Sequence, residues 1–356
     1  MKLIFFGLSI TSSWGNGHAT TYRGLLKALA AAGHDLTFIE KRTDYYAANT
    51  DAPPAAIPYA RVILYEDWVQ EGQPQAATAA LGADAVVLGS YCADGVQIAN
   101  WLAASYDGPS FYYDIDTPVT LKAWRAGQEV AYIQRRQLTQ FAAVLSFTGG
   151  QALADLRHFG AREAVPLYCA VDPDLHRPVP IRDDLQAELG YMGTYSVDRV
   201  AAVDYLFFQP ARTLVERRFI IAGPQYPDVD RWPANVLHIP HLYPADHSAF
   251  YCSTRLTVNA TRQAMVYYGY CPSVRLFEAA GCAAPVLSDV WQGLDELFTP
   301  DKEILLAENA ADVLAHLQRP TAELRAIGQA AYQRVLREHT YAVRAHQLEG
   351  YIAAAR

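Results

Sequence analysis

Short apolar runs recur along the whole chain, and most are separated by longer stretches whose apolar positions follow helical spacing. A strand buried on both faces reads as an unbroken apolar run, so this alternation predicts parallel sheets covered by helices. In the first half the pattern predicts strands at Lys2–Leu8, Asp35–Ile39, Arg61–Tyr65, Ala85–Leu88, Ser110–Tyr113, Val144–Phe147 and Val165–Leu167, with helices that include His18–Ala32 and Gln97–Ala104. The alternation then breaks at VDPDLHRPVPIRDD, beginning at Val171, where Pro and charge mark a linker. It resumes with strands at Leu189–Met192, Arg218–Ala222, Val236–Ile239, Leu256–Asn259, Ala284–Leu287 and Ile304–Leu306, and residues 309–356 carry successive amphipathic helices. The expected organisation is α/β, with one domain over residues 1–171 and a second over 172–340.

Composition narrows the classes. A chain of 356 residues can bury two cores, and 51% hydrophobic with 19% charged residues describes a folded protein, not a disordered one. The net charge of -8, without any Lys/Arg cluster, argues against nucleic acid or an anionic membrane as partner. Five scattered cysteines form no C-x-x-C pair, which disfavours structural zinc and a disulfide framework. Leu3–Ile10 has a single Lys before it and no clear cleavage site after it, so strand is the better reading than signal peptide. No apolar run approaches the roughly 18 residues needed to span a bilayer. A cytoplasmic protein without a membrane span is expected.

The richest stretch is YCPSVRLFEAAGCAAPVLSD, residues 270–289. Pro272 and Ser273 are helix-start residues, with the Ser able to cap orphan amides, so a helix should begin near Val274 and end at Gly281. Arg275 and Glu278 then share one face. A helix N-terminus beside a guanidinium suits a pyrophosphate, and a carboxylate one turn in can accept two hydrogen bonds from a ribose diol. A plain surface ion pair is the competing reading of the same spacing.

The segment Arg275 to Val286 resembles the donor-site signature of glycosyltransferases with two Rossmann-like domains facing across a cleft, the B fold, and is most similar to the CgeB-like, spore-maturation group. The resemblance implies transfer of a sugar from a nucleotide diphosphate sugar, UDP-linked, with no cofactor and no metal ion. It also implies that the last helix, over residues 341–356, crosses back to the first domain. In retaining relatives an E-x7-E motif ends in the Glu that holds the ribose; Glu278 matches it, while the first Glu falls on Tyr270 and leaves retention or inversion open.

Other loops gain meaning from the resemblance. In TSSWGNGH, Gly15, Asn16 and Gly17 are expected among the donor-binding residues, and they precede His18 at a helix start, where helix amides favour a neutral ring, the form a general base needs. A capping or packing histidine is the competing reading. Asp114 and Asp116 end a strand and are further catalytic candidates on the acceptor side; their D-x-D spacing is not read as a metal site, since no further acidic cluster lies nearby in sequence. Gly193, Thr194, Tyr195 and Arg199 follow the first strand of the second domain, where relatives meet the donor diphosphate. His241 and Leu242 match the loop that reads the base, and Asn259 and Arg262 close a strand where Arg262 and Arg275 together balance pyrophosphate charge in place of a metal. With Ser273 and Val274 at the helix start, these complete the expected donor site. The acceptor is open among small molecule, glycan and protein. A nucleotide-sugar epimerase of the same fold and a non-catalytic carbohydrate-binding or structural protein are the rival readings.

Overall fold

The computed structural model describes every residue, Met1–Arg356, as two compact units: Met1–Tyr168 with Tyr341–Arg356, and Cys169–Thr340. The first unit holds seven parallel strands, β1 (Lys2–Gly7), β2 (Asp35–Lys41), β3 (Arg61–Tyr65), β4 (Ala85–Gly89), β5 (Ser110–Asp114), β6 (Ala143–Ser146) and β7 (Ala164–Pro166), in the order β3-β2-β1-β4-β5-β6-β7. The second holds six, β8 (Ala187–Met192), β9 (Phe219–Ala222), β10 (Val236–Ile239), β11 (Thr254–Asn259), β12 (Val286–Ser288) and β13 (Leu305–Leu306), in the order β10-β9-β8-β11-β12-β13. Each sheet reverses its winding beside its first strand, at β1/β4 and at β8/β11. Ligands of open α/β sheets collect at the carboxyl ends of the strands at such a point.

Every strand expected from the apolar runs is present, with shifted ends. β12 starts at Val286 and not Ala284: Ala283 takes a left-handed φ of 53°, and Pro285 has no N–H for the ladder although its carbonyl accepts Thr257 N–H at 2.9 Å. The stretch read as a linker is partly packed. Asp172 and His176 are buried within it, while its proline-rich continuation, Arg177–Asp184, lies mostly exposed.

In the first unit α1 (Gly17–Ala31) packs against the last helix of the chain, Tyr341–Ala354. A Cβ at Gly24 would come within 2.2 Å of the Tyr341 ring, so glycine is what allows this close approach. The second unit's core sets Leu189, Tyr191, Phe219, Ile221, Leu256, Val258 and Leu287 from the sheet against Leu206, Phe207, Val313 and Leu317 from its helices. No helix is long and apolar enough to cross a membrane.

Candidate functional site

In the first unit the strand-end groups lie on two loops. Ser9–Asn16 follows β1 and is shaped by Glu40 of β2. The Glu40 carboxylate accepts the amides of Ile10 and Thr11 at 2.6 and 3.2 Å and the hydroxyls of Ser9 and Thr11 at 2.8 and 2.5 Å. Four donors on one carboxylate fix this loop more firmly than its glycines alone would. Asn16 is spent on the helix: its side chain accepts His18 N–H at 3.0 Å as the N-cap of α1 and donates to the Ser12 carbonyl at 3.0 Å. It is therefore a capping residue, and its amide is not free for a donor. Gly15 takes a φ of 61°, which favours glycine, whereas a Cβ on Gly17 would meet nothing within 4 Å. The space over Gly17 is open to a ligand.

His18 Nε2 lies 2.9 Å from Asp116 Oδ2, with side-chain exposures of 8% and 24%. Asp116 occupies the N-cap position of α2 (Thr117–Arg125), but its side chain bonds none of the helix amides. His18 is enclosed, with the Tyr91 ring set edge-on at 5.6 Å and Nδ1 buried without a partner. Of the two, the carboxylate reaches solvent. Asp114 is fully buried, and burial first of all raises its carboxyl to about 7. Its Oδ1 accepts Asp116 N–H at 3.2 Å and its Oδ2 has no partner, so it braces the turn from beneath and cannot touch a ligand. This removes Asp114 from direct catalysis. With one carboxylate enclosed and the other held by His18, the pair does not form a D-x-D chelate.

In the second unit the groups converge on α4 (Val274–Gly281), which starts and stops where Ser273 and Gly281 indicate, although Ser273 does not cap it. The Ser273 hydroxyl donates instead to Asn259 Oδ1 at 2.7 Å. Arg275 and Glu278 are both buried and do not pair, which overturns the surface ion-pair reading. Arg275 turns to the strand ends: Nε donates to the Met192 carbonyl at 2.5 Å, Nη1 to Asn259 Oδ1 at 3.1 Å, and the guanidinium carbon lies 5.1 Å from the Tyr191 ring centroid. A Cβ at Gly193 would fall 2.7 Å from Arg275 Nη2, so Gly193 makes room for the cation. Asn259 also donates to Thr261 at 3.2 Å and Ser288 at 2.9 Å, which commits its whole amide to holding Ser273, Arg275 and the strand ends. It positions the site and has no group left for a ligand.

Arg199 lies on a single 3-10 turn, Val197–Arg199, beyond the β8 loop. Its Nη2 donates to the Thr194 carbonyl at 3.0 Å, and its buried Nε has no partner. Burial above all, with the positive charges of Arg275 and Arg262 adding to it, pushes this guanidinium below its ordinary value. None of the three arginines has a carboxylate partner. Positive charges that act on one another around a largely buried Arg199 are relieved by an anion, and Arg275 stands in the first turn of α4, where free amides favour negative charge. Arg262 follows a turn pinned by Asp289, whose carboxylate takes Thr261 N–H at 3.0 Å and the Thr261 hydroxyl at 2.8 Å.

Glu278 faces the other way. Its Oε2 accepts the Tyr251 hydroxyl at 3.2 Å, from α3 (Pro244–Ser253), and its Oε1 lies 3.7 Å from His176 Nε2. His241 is exposed, with the Tyr243 ring edge-on at 4.6 Å, and the Leu242 carbonyl accepts from His247 Nε2 at 3.3 Å. A cavity of about 290 Å³ opens beside Arg199 between Tyr195, Phe208, Tyr226 and Trp232; His241 and Leu242 do not line it. Tyr270, in the place of the first motif Glu, has a φ of 47° and donates its hydroxyl to Glu296 at 3.1 Å. Sequence reading missed Glu40, His176, His247 and Tyr251. None stands in a spacing that carries a signal; each is brought in by packing.

Two parallel Rossmann-like sheets, each wound about its own switch point, define the class: the chain has the glycosyltransferase-B fold. Residues 201–350 match the family described as glycosyl transferase-like. The match covers the greater part of the second unit and none of the strands of the first, and it makes the chain similar to glycosyl transferase-like proteins without reaching the narrower spore-maturation group. No curated protein sequence matches the chain. Among solved structures, it is similar to sucrose-phosphate synthase from Thermosynechococcus elongatus, with 15% identity over 100% of both chains and a TM-score of 0.69. HepE from Anabaena in complex with UDP-glucose shares 12% identity over 99% of this chain and 100% of that one, with a TM-score of 0.67. An α-glucosyltransferase in complex with UDP shares 10% identity over 99% of each chain, with a TM-score of 0.71.

Proposed function

We propose that the chain transfers a sugar from a UDP-sugar to a hydroxyl acceptor without using a metal ion. The observation that carries this reading is the cluster of a buried Arg275 with the half-buried Arg199 and Arg262, all without carboxylate partners, at the strand ends beside the α4 N-terminus. Positive charge held in a low-dielectric site stabilises a leaving diphosphate as it gains charge, the task a divalent cation performs elsewhere. Glu278, with Oε2 held by Tyr251, accepts the ribose hydroxyls. UDP is the nucleotide chosen because HepE and the α-glucosyltransferase are described with UDP or UDP-glucose bound. In the first unit Asp116 is the group that takes the acceptor proton, with His18 fixed behind it to hold the carboxylate in place. The roles of these two residues are thus the reverse of the histidine-base expectation, because the carboxylate is the exposed member.

Titration calorimetry with uridine, UMP and UDP in excess chelator tests the donor site. Each charged hydrogen bond is worth about 1.5–3 kcal/mol, so UDP binds at least about ten-fold more tightly than uridine. Equal affinity for uridine and UDP, or binding that requires added magnesium or manganese, overturns the reading.

A further inference from the structure

His176, His247 and Glu278 come from three separate places in the second unit: the loop before β8, helix α3 and helix α4. Each offers one ligand atom, and the three atoms lie within 4.8 Å of one another. His176 and Glu278 are enclosed, with side-chain exposures of 8% and 9%, and their closest atoms are 3.7 Å apart, beyond hydrogen-bond range. His176 forms no hydrogen bond at Nδ1 either, where the atom is buried. An imidazole with Nδ1 buried and unsatisfied, and with Nε2 facing a carboxylate beyond hydrogen-bond range, has room for a partner between the two.

The surroundings are those of a metal ligand set. The carbonyl of Leu242, 3.3 Å from His247 Nε2, requires that nitrogen to carry the proton and leaves Nδ1 with its lone pair free. Tyr251 holds Glu278 Oε2 and leaves Oε1 turned toward His176. The His176 backbone is itself fixed, its N–H donating to the Asp172 carbonyl at 2.9 Å. Two imidazoles and one carboxylate match the ligands of Zn²⁺ sites that keep a fourth position open, and imidazole selects first-row transition metals over Mg²⁺. Metal–ligand bonds of about 2.0–2.2 Å place tetrahedral ligand atoms roughly 3.3–3.6 Å apart, so the widest pair closes by up to about 1.5 Å on binding.

We propose that His176, His247 and Glu278 form a transition-metal site, filled by Zn²⁺, that competes with the nucleotide for Glu278. Metal binding stands on this geometry alone; the competition also rests on the assignment of Glu278 to the ribose. A carboxylate bound to Zn²⁺ cannot accept the ribose hydroxyls, so the metal inhibits a transfer that needs no metal. Zinc then acts as a brake on donor binding, and magnesium does not.

The test uses the full chain stripped with chelator. Zn²⁺ is titrated without nucleotide against a chromogenic chelator, and the expected result is one equivalent bound, weakened at least ten-fold in His176→Gln and in His247→Gln. Both variants are checked for intact folding by circular dichroism. UDP is then titrated at rising Zn²⁺. Its apparent Kd rises in the wild type and stays flat in His247→Gln, which also controls for zinc complexed by free UDP. Absence of stoichiometric Zn²⁺ binding, or binding in both histidine variants as tight as in the wild type, overturns the metal site. Zinc binding that leaves UDP affinity untouched while Glu278→Ala still weakens UDP overturns the competition only. An unchanged UDP affinity in Glu278→Ala overturns the ribose assignment and leaves the metal site standing.

Discussion

His18 Nε2 meets Asp116 Oδ2 at 2.9 Å, joining the first turn of α1 to the turn after β5 across 98 residues of sequence. The bond ranks the two groups. His18 lies inward against Tyr22 and Tyr91, and Asp116 is the member that solvent reaches.

Asp116→Asn should lower turnover by roughly 100-fold or more, because a carboxamide cannot take a proton. His18→Gln should cost less, about ten-fold, and both should leave UDP affinity near wild type. Steady-state kinetics with calorimetry decides; a larger loss in His18→Gln than in Asp116→Asn would show that the imidazole is the base.

Arg275→Ala should weaken UDP by about 1.5–3 kcal/mol, or roughly 10- to 150-fold, and leave uridine nearly unaffected. Gly193→Ala should reproduce part of this loss without removing a charge, since its methyl group would fall 2.7 Å from Arg275 Nη2. Calorimetry on both variants checks it, and equal weakening of uridine and UDP would contradict a diphosphate role.

Glu278→Ala should abolish discrimination between UDP and its 2′,3′-dideoxy analogue. The wild type binds UDP more tightly because a buried carboxylate accepts from hydroxyls that the analogue lacks. The readout is the ratio of the two affinities, which should fall to near one in the variant.

Burial raises the Asp114 carboxyl from 3.8 to about 7. A raised folded value means the native state binds the proton more tightly than the unfolded chain, so this group's contribution to stability is greatest below about pH 4 and is lost as pH rises to about 7. The loss is on the order of a few kcal/mol, at about 1.4 kcal/mol per unit. Asp114→Asn removes it. Urea unfolding at pH 5 and pH 8 should show wild-type stability falling relative to the variant between the two; a constant difference between them would contradict the enclosed, protonated carboxyl.

The sequence by itself determined the frame. All thirteen strands stand where apolar runs indicated, from Lys2–Gly7 to Leu305–Leu306; the inner ones, such as β1 and β4, are buried on both faces and so are apolar almost throughout. The α4 helix was equally legible from Ser273 and Gly281, since start and stop signals are local. What the side chains at the strand ends do was decided only by tertiary structure. Spacing put Arg275 and Glu278 on one helix face, yet packing sent one to Asn259 and Met192 and the other to Tyr251 and His176. Asn16 and Asn259 read as ligand donors and proved to be fully engaged within the fold. Glu40, His176 and His247 carried no signal at all. A hydrogen bond depends on which atoms the folded chain brings within about 3 Å. Residues tens of positions apart become neighbours only when the sheets form, and no one-dimensional pattern records that meeting.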